Sequence, residues 1–189
     1  MIRIVSGTAK GRFLRTPKGR RTRPVIERVR EAIFDILSEK VEGARVLDLF
    51  AGSGSLGIEA LSRGAKEAVF VDSSLIAVAT IRSNLKTLGF MDRSEILPGD
   101  SRKVIERLGR DNRKFDLIFS DPPYKKRMTK EILETLVAWD VLAGDGVVVT
   151  RCRRDEPWPE AVSGLVPIFK RIYGDALLAL WGGTEYDTE

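Results

Sequence analysis

The chain has 189 residues, 43% of them hydrophobic and 31% charged, which is the composition of one soluble globular domain and excludes disordered, collagen-like and disulfide-rich chains. His is absent and Cys occurs once, so Zn sites built from several His or Cys, nucleophile systems that need His, and internal disulfides are excluded. No apolar run approaches the ~18 residues of a membrane span and no signal-peptide core follows residue 3, so we expect a cytoplasmic protein.

The net charge of +5 is unevenly distributed along the chain. Residues 1–30 hold ten Lys or Arg and one acid, whereas the remainder holds 22 basic and 26 acidic residues. A basic segment on an acidic body is typical of a protein that contacts phosphate groups. A solvated basic face or a mobile basic tail is the alternative, and the charge run alone leaves both open.

The N-terminal region predicts a hairpin followed by a helix. Residues 3–14 contain two short apolar pieces separated by a Gly-bounded polar stretch, which indicates two antiparallel strands. Pro24 suits the first position of a helix, and apolar residues then recur at intervals of three and four residues. We expect an amphipathic helix that ends near Lys40.

From residue 45 the pattern alternates between strand and helix. Gly64 and Gly89 follow two of the helices, as expected for residues that stop a helix. Such alternation predicts a parallel sheet covered by helices on both faces. The expected strands are 46–49, 68–71, 95–97, 115–119 and 147–150, and the expected helices are 56–63, 75–88, 103–108 and 129–137.

The end of the chain departs from this alternation. Apolar runs at 165–173 and 176–181 are joined by only two residues, which permits an antiparallel hairpin but not a parallel crossover. An α/β, doubly wound sheet that ends in such a hairpin resembles the class I S-adenosylmethionine-dependent methyltransferase fold. We therefore expect a basic hairpin and helix extension at residues 1–40 and a methyltransferase domain at residues 41–189.

A glycine-rich turn follows the first strand of the alternating region. Gly52, Gly54 and Gly57 have the Gly-x-Gly-x-x-Gly spacing between a strand and a helix, which favours close approach of a ligand to the backbone. Asp72 ends the next strand, 18 residues after Gly54, where a carboxylate can accept both ribose hydroxyls of a nucleoside. Ser53, inside the turn, is a further candidate cofactor contact.

The turn alone fits either NAD or S-adenosylmethionine, and Asp48 favours the second. A carboxylate beside the turn repels a pyrophosphate and attracts the sulfonium and ammonium groups of S-adenosylmethionine. Asp100 and Ser101 follow the third strand of the alternating region. Asp100 can accept a hydrogen bond from the adenine amino group, although the N-cap of a helix is an equally good interpretation of this residue.

The fourth strand of the alternating region leads into Asp121-Pro122-Pro123-Tyr124. The exocyclic amino group of a base is a poor nucleophile because its lone pair is delocalised into the ring. The Asp121 carboxylate and the Pro122 carbonyl can accept its two N–H groups and direct the lone pair at an electrophilic methyl group. Tyr124 offers a flat ring on which the base can stack.

These motifs resemble a known family. Residues 48–57 and 121–124 resemble the amino-group methyltransferases, whose motif is Asp/Asn-Pro-Pro-Tyr/Phe. Residues 3–7, 10–12, 22–24 and 28–31 resemble, more narrowly, the bacterial methyltransferases of guanine N2 in small-subunit (16S) ribosomal RNA. The resemblance implies S-adenosylmethionine as donor and the small ribosomal subunit as substrate. The chain departs from the family pattern at one place. Many relatives have a second acid shortly after the ribose-binding one, where this chain has Ser73 and Ser74.

From this resemblance and the charge pattern we expect direct methyl transfer to guanine N2, by a monomer without a metal. Ser73 stays among the candidate cofactor contacts. The candidate RNA-binding residues are Arg3, Lys10, Arg12, Arg20, Arg21, Arg23, Lys125 and Lys126. Cys152 lacks the neighbouring residues of a cytosine-C5 methyltransferase nucleophile, so we assign it no catalytic role.

Three other functions stay open at this point. Adenine-N6 methylation of DNA or RNA would use the same Asp-Pro-Pro-Tyr chemistry. A non-catalytic RNA-binding ribosome assembly factor could retain the cofactor fold, although the intact motif argues against it. An NAD-dependent dehydrogenase is the third alternative, since the glycine turn by itself also fits a dinucleotide.

Overall fold

A computed structural model describes residues 1–17, 24–122, 128–157 and 159–183, with the side chains of the first helix described from residue 28. The strands are β1 (Ile2–Arg3), β2 (Phe13–Leu14), β3 (Arg45–Leu49), β4 (Glu67–Asp72), β5 (Ser94–Pro98), β6 (Phe115–Ser120), β7 (Leu142–Arg153), β8 (Leu165–Tyr173) and β9 (Ala176–Gly183). The helices are α1 (Pro24–Ile36), α2 (Ser38–Val41), α3 (Ser55–Ser62), α4 (Leu75–Leu88), α5 (Ser101–Arg110) and α6 (Thr129–Ala138), with a 3₁₀ turn at Met91–Arg93.

Seven strands form one sheet in the order β5-β4-β3-β6-β7-β9-β8. The pairs from β5 to β7 are parallel, and β9 pairs antiparallel with both β7 and β8. The doubly wound parallel sheet that ends in an antiparallel hairpin is therefore confirmed. The direction of winding reverses between β3 and β6, and ligands of open α/β sheets bind where the strands on either side of this point end.

Successive residues of the central strands face opposite sides of the sheet, and both sides are buried. Val46 belongs to an apolar cluster that includes residues of α1, α3 and α4, whereas Leu47 belongs to a second cluster with residues of α5 and α6. Ile4 and Leu14 are 1% exposed and belong to the first cluster. The N-terminal residues thus share a core with the sheet, and the division at residues 40 and 41 stays a prediction.

The N-terminal hairpin is confirmed, with Ile2 opposite Leu14 and Arg3 opposite Phe13. The first helix is shorter than expected and ends at Ile36 instead of near Lys40. The Lys40 N–H group bonds to the carbonyl of Leu37, three residues back, at 2.7 Å. This tighter turn separates α1 from α2.

Strand β7 is longer than the predicted 147–150. It pairs with β6 as far as Ser120 opposite Thr150, and with β9 as far as Arg153 opposite Ala176. The terminal hairpin therefore extends β7 beyond the end of β6, and Arg151 and Cys152 lie within a strand. No helix of the described residues is long and apolar enough to cross a membrane.

Candidate active site

The glycine-rich turn lies between β3 and α3, at the point where the winding reverses. Gly52 and Gly54 have φ values of 61° and 77°, a region that L side chains rarely adopt, and Phe50 adopts it as well with φ of 59°. A Cβ atom on Gly57 would lie 2.4 Å from the ring of Phe70, so a glycine is needed there for α3 to pack on the sheet. The turn is therefore tight and close to the strand ends.

Asp72, at the end of β4, is held by the glycine-rich turn. Its Oδ2 accepts the N–H of Gly52 at 2.8 Å, and its Oδ1 accepts the N–H of Ser74 at 2.8 Å. A carboxylate oxygen can accept more than one hydrogen bond. Asp72 thus presents a fixed carboxylate that can accept further hydrogen bonds, and its role as the ribose acceptor stays a prediction.

Asp48 is a buried carboxylate on β3, 2% exposed, whose Oδ2 accepts the N–H of Gly57 at 2.9 Å. Burial raises the pKa of Asp48 to about 7, the Gly57 hydrogen bond opposes this rise, and the charges of Asp121 and Asp72 add to it. The charges of two neighbouring carboxylates therefore act on Asp48 at this edge of the sheet. Such an arrangement favours a cationic ligand.

The other candidate cofactor contacts lie in the turn after β3 and just after the ends of β4 and β5. Asp100 is the N-cap of α5 and accepts the N–H of Arg102 at 3.1 Å, and the Arg102 guanidinium lowers the pKa of Asp100. Capping is thus observed, whereas contact of Asp100 with adenine stays a prediction. Ser53 and Ser101 are buried and Ser73 is exposed. Their contacts with a cofactor stay predictions too.

Asp121 follows β6, and both of its carboxylate oxygens are held by one arginine. Arg151 of β7 donates from Nε to Oδ1 at 2.8 Å and from Nη2 to Oδ2 at 2.5 Å. The Arg151 and Asp121 side chains are 17% and 29% exposed. The sequence pattern does not reveal Arg151, because the apolar run of this strand ends at residue 150. A strand extended by the terminal hairpin would have placed a basic residue beside the motif.

A cavity of about 40 Å³ lies between α1, α3 and the ends of β6 and β7. Val29 and Ile33 of the apolar stripe of α1 are 2% and 3% exposed and form one wall of this cavity, whereas Ile36 of the same stripe is 40% exposed. Asp121 and Arg151 form the polar part of the lining. The lining residues are Val29, Arg30, Ile33, Ser55, Leu56, Ser120, Asp121, Val149 and Arg151.

Arg30 belongs to the basic N-terminal segment but does not face solvent. It is 3% exposed, its Nη2 donates to the backbone oxygen of Arg3, and its Nε lies 3.9 Å from the carboxylate of Glu59. Glu59 of α3 also accepts the backbone N–H groups of Val5 and Ser6, each at 3.0 Å. Arg30 and Glu59 therefore join the N-terminal hairpin to the wall of the cavity.

Three of the candidate RNA-binding residues lie on the hairpin. Arg3, Lys10 and Arg12 are exposed, and the Arg12 guanidinium donates to the carbonyl of Thr87 at 3.1 Å. Their contacts with RNA stay predictions. The other candidates, together with the predicted stacking residue, lie outside the described residues: Arg20, Arg21, Arg23, Tyr124, Lys125 and Lys126.

Cys152 is buried in β7, and burial raises the pKa of its thiol to about 11. A thiol with such a pKa carries almost no thiolate near neutral pH, which disfavours a nucleophilic role.

Comparison with known proteins places the chain in a family. A family model described as "Conserved hypothetical protein 95" matches residues 2–182. The chain belongs to this family. A Bacillus subtilis protein named "Putative rRNA methyltransferase YlbH" is 39% identical over 180 residues, covering 95% of this chain and 98% of the relative. The Escherichia coli (strain K12) protein named "Ribosomal RNA small subunit methyltransferase D" is 31% identical over 147 residues, covering 78% and 72% of the two chains.

A solved structure shows the same architecture. "Putative methyltransferase yhhF from Escherichia coli" superposes with a TM-score of 0.86 at 27% identity, covering 96% of this chain and 97% of that one. The family resemblance and the class I methyltransferase fold expected from the sequence are confirmed.

Proposed function

We propose that this protein of the Conserved hypothetical protein 95 family is an S-adenosylmethionine-dependent methyltransferase of small-subunit ribosomal RNA, and that guanine N2 is the acceptor. The observation that carries the proposal is the position of Asp121 and Pro122 at the end of β6, with the side chain of Asp121 lining a cavity beside the glycine-rich turn. The names of relatives that cover most of the chain support ribosomal RNA as substrate. Guanine N2 is what the resemblance of residues 3–31 to the guanine-N2 methyltransferases implies.

The residues at the strand ends fit S-adenosylmethionine. The fixed carboxylate of Asp72 suits the ribose hydroxyls, and the buried Asp48 suits a cation. Gly54, with φ of 77°, gives the turn a backbone conformation that L side chains rarely adopt, and a Cβ atom there would lie 3.2–3.4 Å from core side chains of Ile58, Phe70 and Ile81. When bound, S-adenosylmethionine would supply an electrophilic methyl group on a positive sulfur; as the N–C bond forms, the S–C bond breaks, the cofactor leaves as a neutral thioether, and the methylated nitrogen loses one N–H proton to water.

Asp121 and Pro122 act on the target amino group. The Asp121 carboxylate accepts one N–H and the Pro122 carbonyl accepts the other, which directs the nitrogen lone pair away from the ring. As the nitrogen gains positive charge, its attraction to the Asp121 carboxylate becomes stronger, so Asp121 stabilises the transition state more than the ground state. Stacking of the base on Tyr124 stays an expectation from the motif.

A base must leave its helix to reach this site, because an exocyclic amino group cannot enter the cavity from within a stacked duplex. The basic N-terminal segment can bind the surrounding phosphates, since residues 1–30 carry ten Lys or Arg, of which Arg30 is buried. We expect the enzyme to act as a monomer in the cytoplasm, on assembled small-subunit particles.

The test is a nucleoside analysis of the product. Small-subunit particles from a strain in which the gene is deleted are incubated with the protein and labelled S-adenosylmethionine, and the RNA is digested and examined by mass spectrometry. We expect N2-methylguanosine. N6-methyladenosine would instead support the alternative enzyme, and absence of any methylated nucleoside would support a non-catalytic assembly factor.

A further inference from the structure

We propose that Arg151 is a positioning residue, which holds the Asp121 carboxylate in the orientation that receives the amino group of the target base. The proposal rests on the proposed function, because it assigns Arg151 a part in that reaction. It starts from the two hydrogen bonds, of 2.8 and 2.5 Å, that join the guanidinium to both oxygens of Asp121.

The two hydrogen bonds from Arg151 restrain the orientation of the Asp121 carboxylate as well as its position. An aspartate carboxylate turns about two side-chain bonds, whereas a planar guanidinium that bonds both oxygens restrains the carboxylate plane as well as its position. Each oxygen of a carboxylate has a second lone pair, so the pairing leaves acceptor capacity for a base. Arg151 itself is held by β7, whose residue Thr150 lies opposite Ser120 of β6.

The charge of Arg151 also opposes repulsion at the site. The charges of Asp72 and Asp121 add to the rise that burial causes in the pKa of Asp48, so Asp121 lies close to other carboxylates. Repulsion would turn an unpaired Asp121 side chain away from this cluster, toward solvent. A guanidinium at 2.5 Å keeps the carboxylate at the cavity lining.

One effect of Arg151 works against catalysis, since a bound cation weakens the attraction of a carboxylate for a second positive centre. The proposal therefore requires that orientation outweighs this loss. Displacement of a catalytic group by about 1 Å can cost on the order of 100-fold in rate. We accordingly expect that the removal of Arg151 slows the reaction.

The chain offers a matched control on the same strand. Arg153 lies two residues further along β7 and pairs with Asp155, with Nε at 2.8 Å from Oδ1 and Nη2 at 3.2 Å from Oδ2. The two side chains are 52% and 58% exposed, and neither lines the cavity. Arg153→Gln therefore removes a similar pair from the same strand without reaching Asp121.

The experiment compares Arg151→Met, Arg151→Lys and Arg153→Gln with the unchanged enzyme on small-subunit particles from the deletion strain. We expect kcat to fall about 10- to 100-fold for Arg151→Met, with less than a threefold change in KM for the particles and in the dissociation constant of S-adenosylmethionine, measured by calorimetry. Arg151→Lys should recover part of kcat, because its ammonium keeps the charge but not the paired geometry. Arg153→Gln should match the unchanged enzyme.

A double-mutant comparison separates positioning from an independent role. If Arg151 acts through Asp121, then Asp121→Ala with Arg151→Met should react no more than about threefold more slowly than Asp121→Ala alone. A further loss of tenfold or more, or an Arg151→Met enzyme as fast as the unchanged one, would overturn the proposal. If the unchanged enzyme forms a methylated nucleoside other than N2-methylguanosine, the proposed function fails, whereas the same rates on that product still decide the role of Arg151.

Discussion

Replacement of Glu59 tests how the N-terminal hairpin is attached to the methyltransferase sheet. Glu59 lies on α3, is 1% exposed, and accepts N–H groups from Val5, Ser6 and the Arg63 guanidinium, each at 3.0 Å. The Nε of Arg30 is 3.9 Å from its Oε2. Glu59→Ala would therefore remove the acceptor of part-buried donors on the hairpin and at Arg63, and the negative charge beside the buried Arg30 guanidinium.

The magnitude follows from those contacts. Removal of one partner of a buried charged pair typically costs about 3 to 5 kcal/mol, and each buried donor left without an acceptor costs about 1 to 3 kcal/mol where the structure cannot relax. If the hairpin moves away from α3, water can reach the N–H groups of Val5 and Ser6. We therefore expect little cost from these two donors and count only the cost of breaking the charged pair. The free energy of unfolding should fall by about 3 to 5 kcal/mol for Glu59→Ala.

Urea unfolding measures this loss, and hydrogen exchange locates it. Glu106→Ala is the control, because Glu106 forms an ion pair with Arg110 on the surface of α5, and such pairs contribute at most about 1 kcal/mol. The amides of Val5 and Ser6 should exchange faster in Glu59→Ala, whereas the dissociation constant of S-adenosylmethionine should change little. A loss below 1 kcal/mol with unchanged exchange at Val5 and Ser6 would refute the reasoning.

Four further predictions concern the cofactor, the stability of the fold and the RNA. Asp72→Ala should weaken S-adenosylmethionine binding by about 2 to 4 kcal/mol in calorimetry, since it removes the acceptor of two ribose hydroxyls; unchanged affinity would contradict this role. Burial raises the pKa of Asp48 to about 7, and a cationic ligand favours the ionised carboxylate. The affinity for S-adenosylmethionine should therefore rise about tenfold between pH 6 and pH 8 and then level off. Asp48→Asn should abolish this pH dependence. The same shift has the opposite sign for folding, because a neutral Asp48 is favoured in the folded state, and its contribution to stability should fall as pH rises from about 4 to 7. Neutralising Arg20, Arg21 and Arg23 together should reduce the slope of log affinity for RNA against log salt by about 2, and an unchanged slope would show that these side chains do not touch phosphate.

The sequence predicts the sheet because its signals are local. Alternating strands and helices, the glycine-rich turn and the two-residue turn at Gly174 and Asp175 each depend on neighbouring residues, and the structure has all three. Gly52 and Asp72 belong to one strand-helix-strand unit, so the sequence pattern places them at the same edge of the sheet, whereas the hydrogen bond between them is seen only in the structure.

Contacts between distant segments could not be predicted in this way. Asp121 and Arg151 are 30 residues apart, and their pairing depends on how far β7 continues past the end of β6. No feature of the sequence around Glu59 indicates its role, because its partners Val5 and Ser6 contact it through backbone N–H groups, which do not depend on residue type. A count of charges likewise assigns Arg30 to the basic face, whereas its burial depends on the packing of α1 against α3.

The most direct test of the account is the single-turnover rate of Asp121→Ala on small-subunit particles from the deletion strain, with saturating S-adenosylmethionine. If the Asp121 carboxylate accepts a hydrogen bond from the reacting amino group, the rate of formation of N2-methylguanosine should fall by about 10² to 10⁴, while the dissociation constant of S-adenosylmethionine changes less than threefold. Asp121→Asn should lose less, because an amide oxygen still accepts a hydrogen bond. A rate for Asp121→Ala close to that of the unchanged enzyme would contradict the amino-group mechanism and remove the chemical basis for the proposed function.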